Sequence, residues 1–175
     1  MKRIKDNPEC VDEPDDCGKT PLMWAVEKGR VSIVTELLKS KRVKIDSIDD
    51  DGWSALLFAA RRGNCAICDM LLNVGAEISI CTKDDNFSAL HLACGNELID
   101  MSKLLINAGI DYNIKDVSGR IASQYIKSKR NGIIMSTYIS QAIEANRNPQ
   151  QLSRKREEDV AEKLASESLE KYMQV

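Results

Sequence analysis

One segment of this chain recurs at a nearly fixed spacing. The stretch DDCGKTPLM, which begins at Asp15, returns as DDDGWSALL from Asp49 and as KDDNFSALH from Lys83. The turn position of the segment is occupied by Gly18, Gly52, Asn86 and Gly119. A period of this length indicates a stack of similar supersecondary units, because one unit cannot bury its apolar face alone. Repeat stacks generally present extended binding surfaces, so we expect binding rather than catalysis.

Each turn is followed by the pattern of two short amphipathic helices. A pair such as Thr20 and Pro21 opens the first helix, where proline suits the first turn. The small residues Ala25, Ala59 and Ala93 recur on this helix. A second apolar face ends in the pairs Leu37 and Leu38, Leu71 and Leu72, and Leu105 and Ile106. The spacing predicts two helices per unit, joined at glycine.

These residues resemble the ankyrin repeat family, whose unit reads roughly DxxGxTPLHxAAxxGxxxIVxxLLxxGADVN. The third unit is the most similar, in SALHLAC followed by KLLINAGIDYN. The resemblance covers about residues 15–145. It implies an all-α, ankyrin-repeat solenoid of stacked helix-turn-helix units with hairpin loops, followed by a C-terminal helical tail. It also implies that His91 braces its hairpin by hydrogen bonds to backbone groups of adjacent units.

The units depart from the family pattern at a few positions. Asn86 replaces a turn glycine, Glu97 replaces an interhelix glycine and Lys41 replaces the glycine that ends the first repeat. Because asparagine accepts left-handed backbone geometry, we expect these changes to affect loops and not the fold. The fourth unit is more polar than the others, as a terminal cap should be.

The pattern divides the chain into three parts. We expect an N-terminal arm at residues 1–14, the repeat domain at residues 15–145 and a charged helical tail at residues 146–175. The repeat units span about 15–48, 49–82, 83–115 and 116–145. Few residues precede the first unit, so either that unit caps itself or the chain is a fragment or isoform of a longer protein.

The composition is that of a small soluble protein. Charged residues make up 30% of the chain, and the formal net charge is −2. No apolar run approaches the roughly 20 residues of a membrane span, and the first ten residues lack the apolar stretch of a signal peptide. With six cysteines and no secretion signal, we expect reduced thiols and a cytoplasmic or nuclear location. We also expect no membrane insertion and a monomeric protein.

The motif CAIC at Cys65 to Cys68 suggests a metal or redox site, but its register argues against one. Cys68 takes the position of Val34, and Cys94 takes that of Val26, so both are expected to be small buried apolar residues. No phosphate loop, zincin helix or nucleophile elbow is present. We therefore expect no metal, no cofactor and no enzymatic activity. The alternative, a metal-dependent thiol protein, predicts stoichiometric zinc on purification.

The position after each turn provides candidate binding residues. It is occupied by Lys19, Trp53, Phe87 and Arg120. Large aromatics on the adjacent second and third units are typical interface anchors. The alternative is that each ring packs over its own hairpin.

Charged residues flank these rings on both sides. The hairpin tips carry Asp15, Asp16, Asp49, Asp50, Asp51, Asp84 and Asp85, and the second unit's first helix ends in Arg61 and Arg62. An acidic row repels nucleic acid and attracts a basic peptide, although aspartate is also common in turns. We expect a protein segment of basic or mixed apolar and basic character, with apolar groups on Trp53 and Phe87, basic groups on the aspartates and an acidic group near Arg61 and Arg62.

The tail has the pattern of a further helix. Asn148, Pro149 and Gln151 form a helix start, and apolar residues from Val160 to Tyr172 share one face. Docking, pairing with another chain and free projection all remain open for this helix. The sequence thus predicts a non-enzymatic interaction module, acting as an adaptor, scaffold or inhibitor through the concave face. The alternative is a targeting or regulatory subunit of an enzyme complex, attached through the C-terminal helix.

Overall fold

The helices follow one another in pairs along the chain. A computed structural model describes residues 12–40 and 42–147, with the backbone alone at residue 129 and residues 142–147. Within these residues the protein has α-helices, one 3-10 helix and isolated β-bridges but no β-strand. The α-helices are α1 (Pro21–Glu27), α2 (Val31–Leu38), α3 (Ala55–Arg62), α4 (Cys65–Asn73), α5 (Ala89–Gly95), α6 (Ile99–Asn107) and α7 (Lys129–Arg147), and the 3-10 helix η1 is Ala122–Tyr125. The expected all-α repeat architecture is confirmed.

The chain divides into two compact units, residues 1–136 and 137–175. The repeats as far as the first part of α7 lie in the first of these. The described part of the second is residues 137–147, the last part of α7. The expected boundary between repeat domain and tail, at residues 145 and 146, falls inside this helix. The predicted helix start at Asn148 and the apolar face that follows it lie outside the described residues.

Side-chain caps determine where the repeat helices begin. Thr20 Oγ1 accepts a hydrogen bond from the Met23 N–H at 3.3 Å, and Ser54 Oγ accepts one from Leu57 at the same distance. Asn64 Oδ1 caps α4 in the same way. Each cap satisfies a backbone donor that the first turn of a helix leaves free.

Two residues adopt the left-handed conformation that glycine adopts elsewhere in the repeats. Asn86 has φ 54° and Glu97 has φ 55°. The Asn86 side chain donates to the Lys115 carbonyl at 2.8 Å, and the Glu97 carboxylate accepts from the Ser128 N–H and the Asn131 amide. The two residues that replace glycine therefore form side-chain hydrogen bonds toward the fourth unit, and the fold is unchanged.

The core runs between neighbouring units. The first helix of each unit contacts the first helix of the next unit. The second helices do the same, since α2 contacts α4 and α4 contacts α6. Ala59 and Ala93 are fully buried, as are Leu71 and Leu105, which confirms the expected apolar faces. Stability in such a stack comes from each unit and its nearest-neighbour interfaces.

The fourth unit is a shortened version of the others. Its first helix is reduced to the four-residue helix η1, in which Ala122 is buried. Its second helix, α7, is longer than those of the other units and contributes Met135 to the core. This degenerate unit was expected from its polar sequence.

Candidate partner-binding surface

A backbone hydrogen bond closes each hairpin, and one hairpin is longer than the rest. The N–H groups of Asp15, Asp49 and Asp116 donate to the carbonyls of Lys19, Trp53 and Arg120, four residues later. In the third hairpin the Thr82 N–H donates to Phe87, five residues later. Thr82, and not Lys83, therefore occupies the position of Asp15 and Asp49. The sequence alignment of Lys83 with these aspartates is wrong, because the third hairpin has one additional residue.

Neighbouring hairpins are joined to each other. The bonds run from the Asp50 N–H to the Cys17 carbonyl, from Lys83 to Asp51 and from Val117 to Asp85, each at 3.1 Å. These bonds hold the hairpin tips in a continuous row. The residue after each turn is thereby placed beside its counterpart in the next unit.

The aspartates of the tips fall into two groups. The carboxylates of Asp15, Asp49 and Asp116 each accept two backbone N–H groups of their own hairpin. These aspartates form the turns, as asparagine and aspartate commonly do. The exposed carboxylates of the second group form no hydrogen bond or ion pair with any described residue: Asp16, Asp50, Asp51, Asp84 and Asp85. Their charge is available to a partner.

Trp53 and Phe87 are half-buried. The ring of Trp53 stacks on Phe58 with 5.2 Å between centroids, and the Arg61 guanidinium lies over it at 5.2 Å. Phe87 stacks on His91 at 5.6 Å. Each ring thus packs within the repeats and keeps part of its surface exposed, so both expected roles are compatible with its position.

The two rings line one pocket between the second and third hairpins. The pocket has a volume of about 160 Å³. Its lining residues are Asp51, Trp53, Thr82, Asp84, Asp85 and Phe87. The fold therefore brings together five of the ten residues expected to bind a partner. Thr82 was missed, because the sequence alignment placed it outside the hairpin.

The expected basic residues have partners within the chain. Lys19 Nζ lies 3.2 Å from the Glu27 carboxylate and 4.7 Å from the centroid of the Phe58 ring. Arg62 pairs with the same carboxylate at 3.5 Å. The Arg120 side chain pairs with Asp116 at 3.4 Å. Direct contact of these cations with a partner stays a prediction.

The charge of Glu27 depends on its neighbours. Burial alone would raise the pKa of Glu27, but the hydrogen bond from Lys19 and the charges of Lys19, Lys28 and Arg62 lower the pKa below its usual value. Glu27 is therefore ionised at neutral pH, where it holds a cation from each of the first two units.

A buried carboxylate in the fourth hairpin is also kept ionised. Burial would raise the pKa of Asp116, but hydrogen bonds from the Tyr125 hydroxyl and from the Arg120 and Ser118 N–H groups lower it, together with the Arg120 charge. The Tyr125 hydroxyl donates directly to Asp116 Oδ2. This network fixes Tyr125, whose ring contacts Phe87 edge-on at 5.4 Å.

Trp24 is an exposed aromatic that the sequence analysis missed. It is 40% exposed, and its Nε1–H donates to Asp15 Oδ2 at 2.8 Å. This bond is the main reason why the pKa of Asp15 is lowered. Trp24 lies in an apolar helix, PLMWAVE, so composition alone does not single it out. Its register would have predicted burial, because the equivalent residue of the second unit, Phe58, is buried.

Two of the thiols and the single histidine are buried in the fold. Cys68 and Cys94 are buried, as expected, and burial raises the pKa of Cys68 to about 12 and that of Cys94 to about 11. Among the described residues, no three histidine, cysteine or acidic side chains are grouped to hold a metal. His91 Nδ1 accepts from the Ser88 N–H, so Nε2 carries the proton and donates to the Arg120 carbonyl at 3.2 Å. The expected bracing contact is confirmed.

Comparison with known proteins identifies the repeats. A family model described as ankyrin repeats (3 copies) matches the chain at residues 2–81 and at residues 43–116. No curated protein matches it. Within the described residues, no helix is long and apolar enough to cross a membrane.

Proposed function

We infer that this chain, which belongs to the ankyrin repeat family, is a protein-binding module. Ankyrin repeats generally mediate protein–protein interaction, and domains of this kind are typically not catalytic. We propose that the chain acts without catalysis, as an adaptor, scaffold or inhibitor. Its binding surface is the hairpin face, which we define as the hairpin tips together with Trp24, Trp53 and Phe87.

The observation that carries this proposal is the coincidence of aromatic side chains and available charge on the hairpin face. Three successive units each place a large aromatic there, and partly exposed aromatics are frequent interface anchors. Carboxylates without partners lie beside them. A row of such carboxylates attracts a basic protein segment and repels a phosphate backbone.

The test compares the partners recovered by two variants with those of the intact chain. The double variant Trp53→Ala and Phe87→Ala should lose about 2 kcal/mol or more of binding free energy, because both anchors are removed. The matched control is Val31→Ala and Val74→Ala, which removes two apolar side chains that are 43% and 44% exposed and lie off the hairpin face. Affinity purification with mass spectrometry finds the partner, and calorimetry measures its affinity.

Both variants must first be shown to fold, by circular dichroism and thermal unfolding. Partner affinity that is unchanged in the folded double variant would contradict binding through the hairpin face. Loss of affinity in the valine control would show that general destabilisation, and not the face, controls binding.

The alternative is a regulatory or targeting subunit that attaches to an enzyme through its tail. Its support is the helical pattern of residues 146–175, most of which lie outside the described residues. A third bait that ends at Arg147 keeps every described helix intact. If an enzyme is recovered with the intact chain but not with this truncated bait, the alternative is favoured. If the truncated bait still recovers the enzyme, binding through the hairpin face is favoured.

An intracellular location is also proposed. All five cysteines of the described residues are free thiols: Cys17, Cys65, Cys68, Cys81 and Cys94. Free thiols are typical of the reducing cytosol and nucleus. Fluorescence microscopy of the tagged chain tests this location.

A further inference from the structure

We propose that the pocket between the second and third hairpins binds the guanidinium group of an arginine on the partner protein. The proposal rests on the function proposed above and names the group that its binding face recognises. The pocket measures about 160 Å³ and combines two aromatic rings with three carboxylates. Pockets for drug-sized ligands are larger, about 300 to 1,000 Å³. This pocket is therefore of the size for one side chain.

The charge of the pocket is unbalanced within the chain. Asp51, Asp84 and Asp85 contribute the three carboxylates, and none of them forms an ion pair with a described residue. Lys83 Nζ, in the third hairpin, donates to the Asp50 carbonyl and not to a carboxylate. Such a group of carboxylates attracts a cation from outside the chain.

The third hairpin does not need its aspartates for its own structure. In this hairpin the hydroxyl of Thr82 accepts the Phe87 N–H at 3.0 Å, which is the bond that aspartate makes in the other hairpins. The additional residue of this hairpin lengthens the acidic tip beside the Phe87 ring. Neither Asp84 nor Asp85 caps a turn, so turn formation does not explain these acidic residues.

The rings favour arginine over lysine. A guanidinium is planar, stacks on aromatic faces and donates to carboxylates in a fork, whereas an ammonium is a compact and strongly hydrated charge. The chain itself shows this packing twice beside the pocket. The Arg61 guanidinium lies over Trp53 at 5.2 Å, and that of Arg120 lies over Tyr125 at 4.4 Å.

The test is a titration of the isotope-labelled full chain, followed by NMR. The probe is a blocked five-residue peptide with a central arginine among glycines. We expect saturable shifts in the signals of the Trp53 indole and of the Lys83, Asp85 and Phe87 backbone N–H groups. The same peptide with citrulline, a neutral isostere of arginine, should bind about tenfold or more weakly, because the charge-assisted bonds are lost. The lysine peptide should also bind more weakly than the arginine peptide.

A pair of matched variants separates the pocket from general electrostatic attraction. Asp51→Asn with Asp85→Asn removes two charges from the pocket and should abolish saturation. Asp16→Asn with Asp50→Asn removes two charges from the same row outside the pocket and should change affinity by about twofold at most. Equal effects of the two variants, or equal binding of the citrulline or lysine peptide, would overturn the proposal.

The two proposals fail in distinguishable ways. If the partner needs Trp53 and Phe87 but the arginine peptide does not bind, the pocket assignment is wrong and the function stands. If the peptide binds in the pocket but the partner binds the Trp53→Ala and Phe87→Ala variant as tightly as the intact chain, the pocket is an arginine site and the proposed function is wrong.

Discussion

Glu27 joins the first two repeat units through a single side chain. Its carboxylate lies 3.2 Å from Lys19 Nζ of the first hairpin and 3.5 Å from Arg62 Nη2 at the end of α3. Because the carboxylate is largely buried and its pKa is lowered, it stabilises the stack only while it is ionised. This residue makes the interface sensitive to acid.

The sign of the pH dependence follows from the direction of the shift. A carboxylate whose pKa is lower in the folded protein contributes stability above its ordinary value of 4.5 and loses that contribution as the pH falls through the folded value. Glu27→Gln should therefore cost about 0.5 to 1 kcal/mol at pH 7 and less at pH 3. Urea unfolding at both pH values measures the difference.

The control for this prediction is Glu36→Gln. Glu36 also pairs with a lysine, Lys39, but its side chain is 65% exposed, so its loss should change stability little at either pH. A Glu27→Gln penalty that is the same at pH 3 and at pH 7 would show that packing, and not charge, is the contribution of this side chain.

The hairpins are the elements that couple one unit to the next. Gly52 lies where the second hairpin meets the third, with φ 80°. A Cβ atom at this position would lie 2.8 Å from the Lys83 backbone nitrogen, closer than real Cβ contacts. The backbone bond from Lys83 to Asp51 is made at the same place. Glycine is therefore required both for the turn and for the approach of the next hairpin.

A pair of alanine substitutions separates these two requirements. Gly119 has nearly the same φ, 77°, but a Cβ there meets nothing within 4 Å. Gly119→Ala should cost about 1 to 2 kcal/mol from backbone strain alone. Gly52→Ala should cost about 1 to 3 kcal/mol more, because the methyl group displaces the neighbouring hairpin. Urea unfolding of both variants checks this, and equal costs would rule out the close approach.

The elements that sequence reasoning predicts well are those with a repeated signal. The caps at Thr20 and Ser54 and the buried residues Leu71 and Leu105 recur in phase, so their positions follow from the period. The additional residue before Phe87 is different, because it leaves the helix pattern unchanged and shifts only the register of a hairpin. The shifted register of the third hairpin is visible only in its backbone hydrogen bonds.

The candidate site could be predicted in part for a similar reason. The position after each turn identifies Trp53 and Phe87 correctly as neighbours, and the structure adds that they share a pocket with Asp51, Asp84 and Asp85. Sequence cannot separate an aspartate that closes a turn from one that is free, because both occur within a few residues. It also cannot show that Lys19 is held by Glu27, eight residues away, since that contact depends on packing.

The described repeats carry a second concave surface besides the hairpin face. It is a groove of about 740 Å³ between α4 and α6, whose lining includes Leu72, Asn73 and Leu104. We assign the partner to the hairpin face, because available charge and aromatic anchors coincide there.

Site-specific photo-crosslinking tests this assignment most directly. A photoreactive amino acid replaces Asp84 on the hairpin face or, as the matched control, Asn73 in the groove, and the full chain is irradiated with its purified partner. Both positions are exposed. If the partner binds the hairpin face, position 84 gives a crosslinked product and position 73 gives none. Crosslinking from position 73 without crosslinking from position 84 would show that the partner binds in the groove instead.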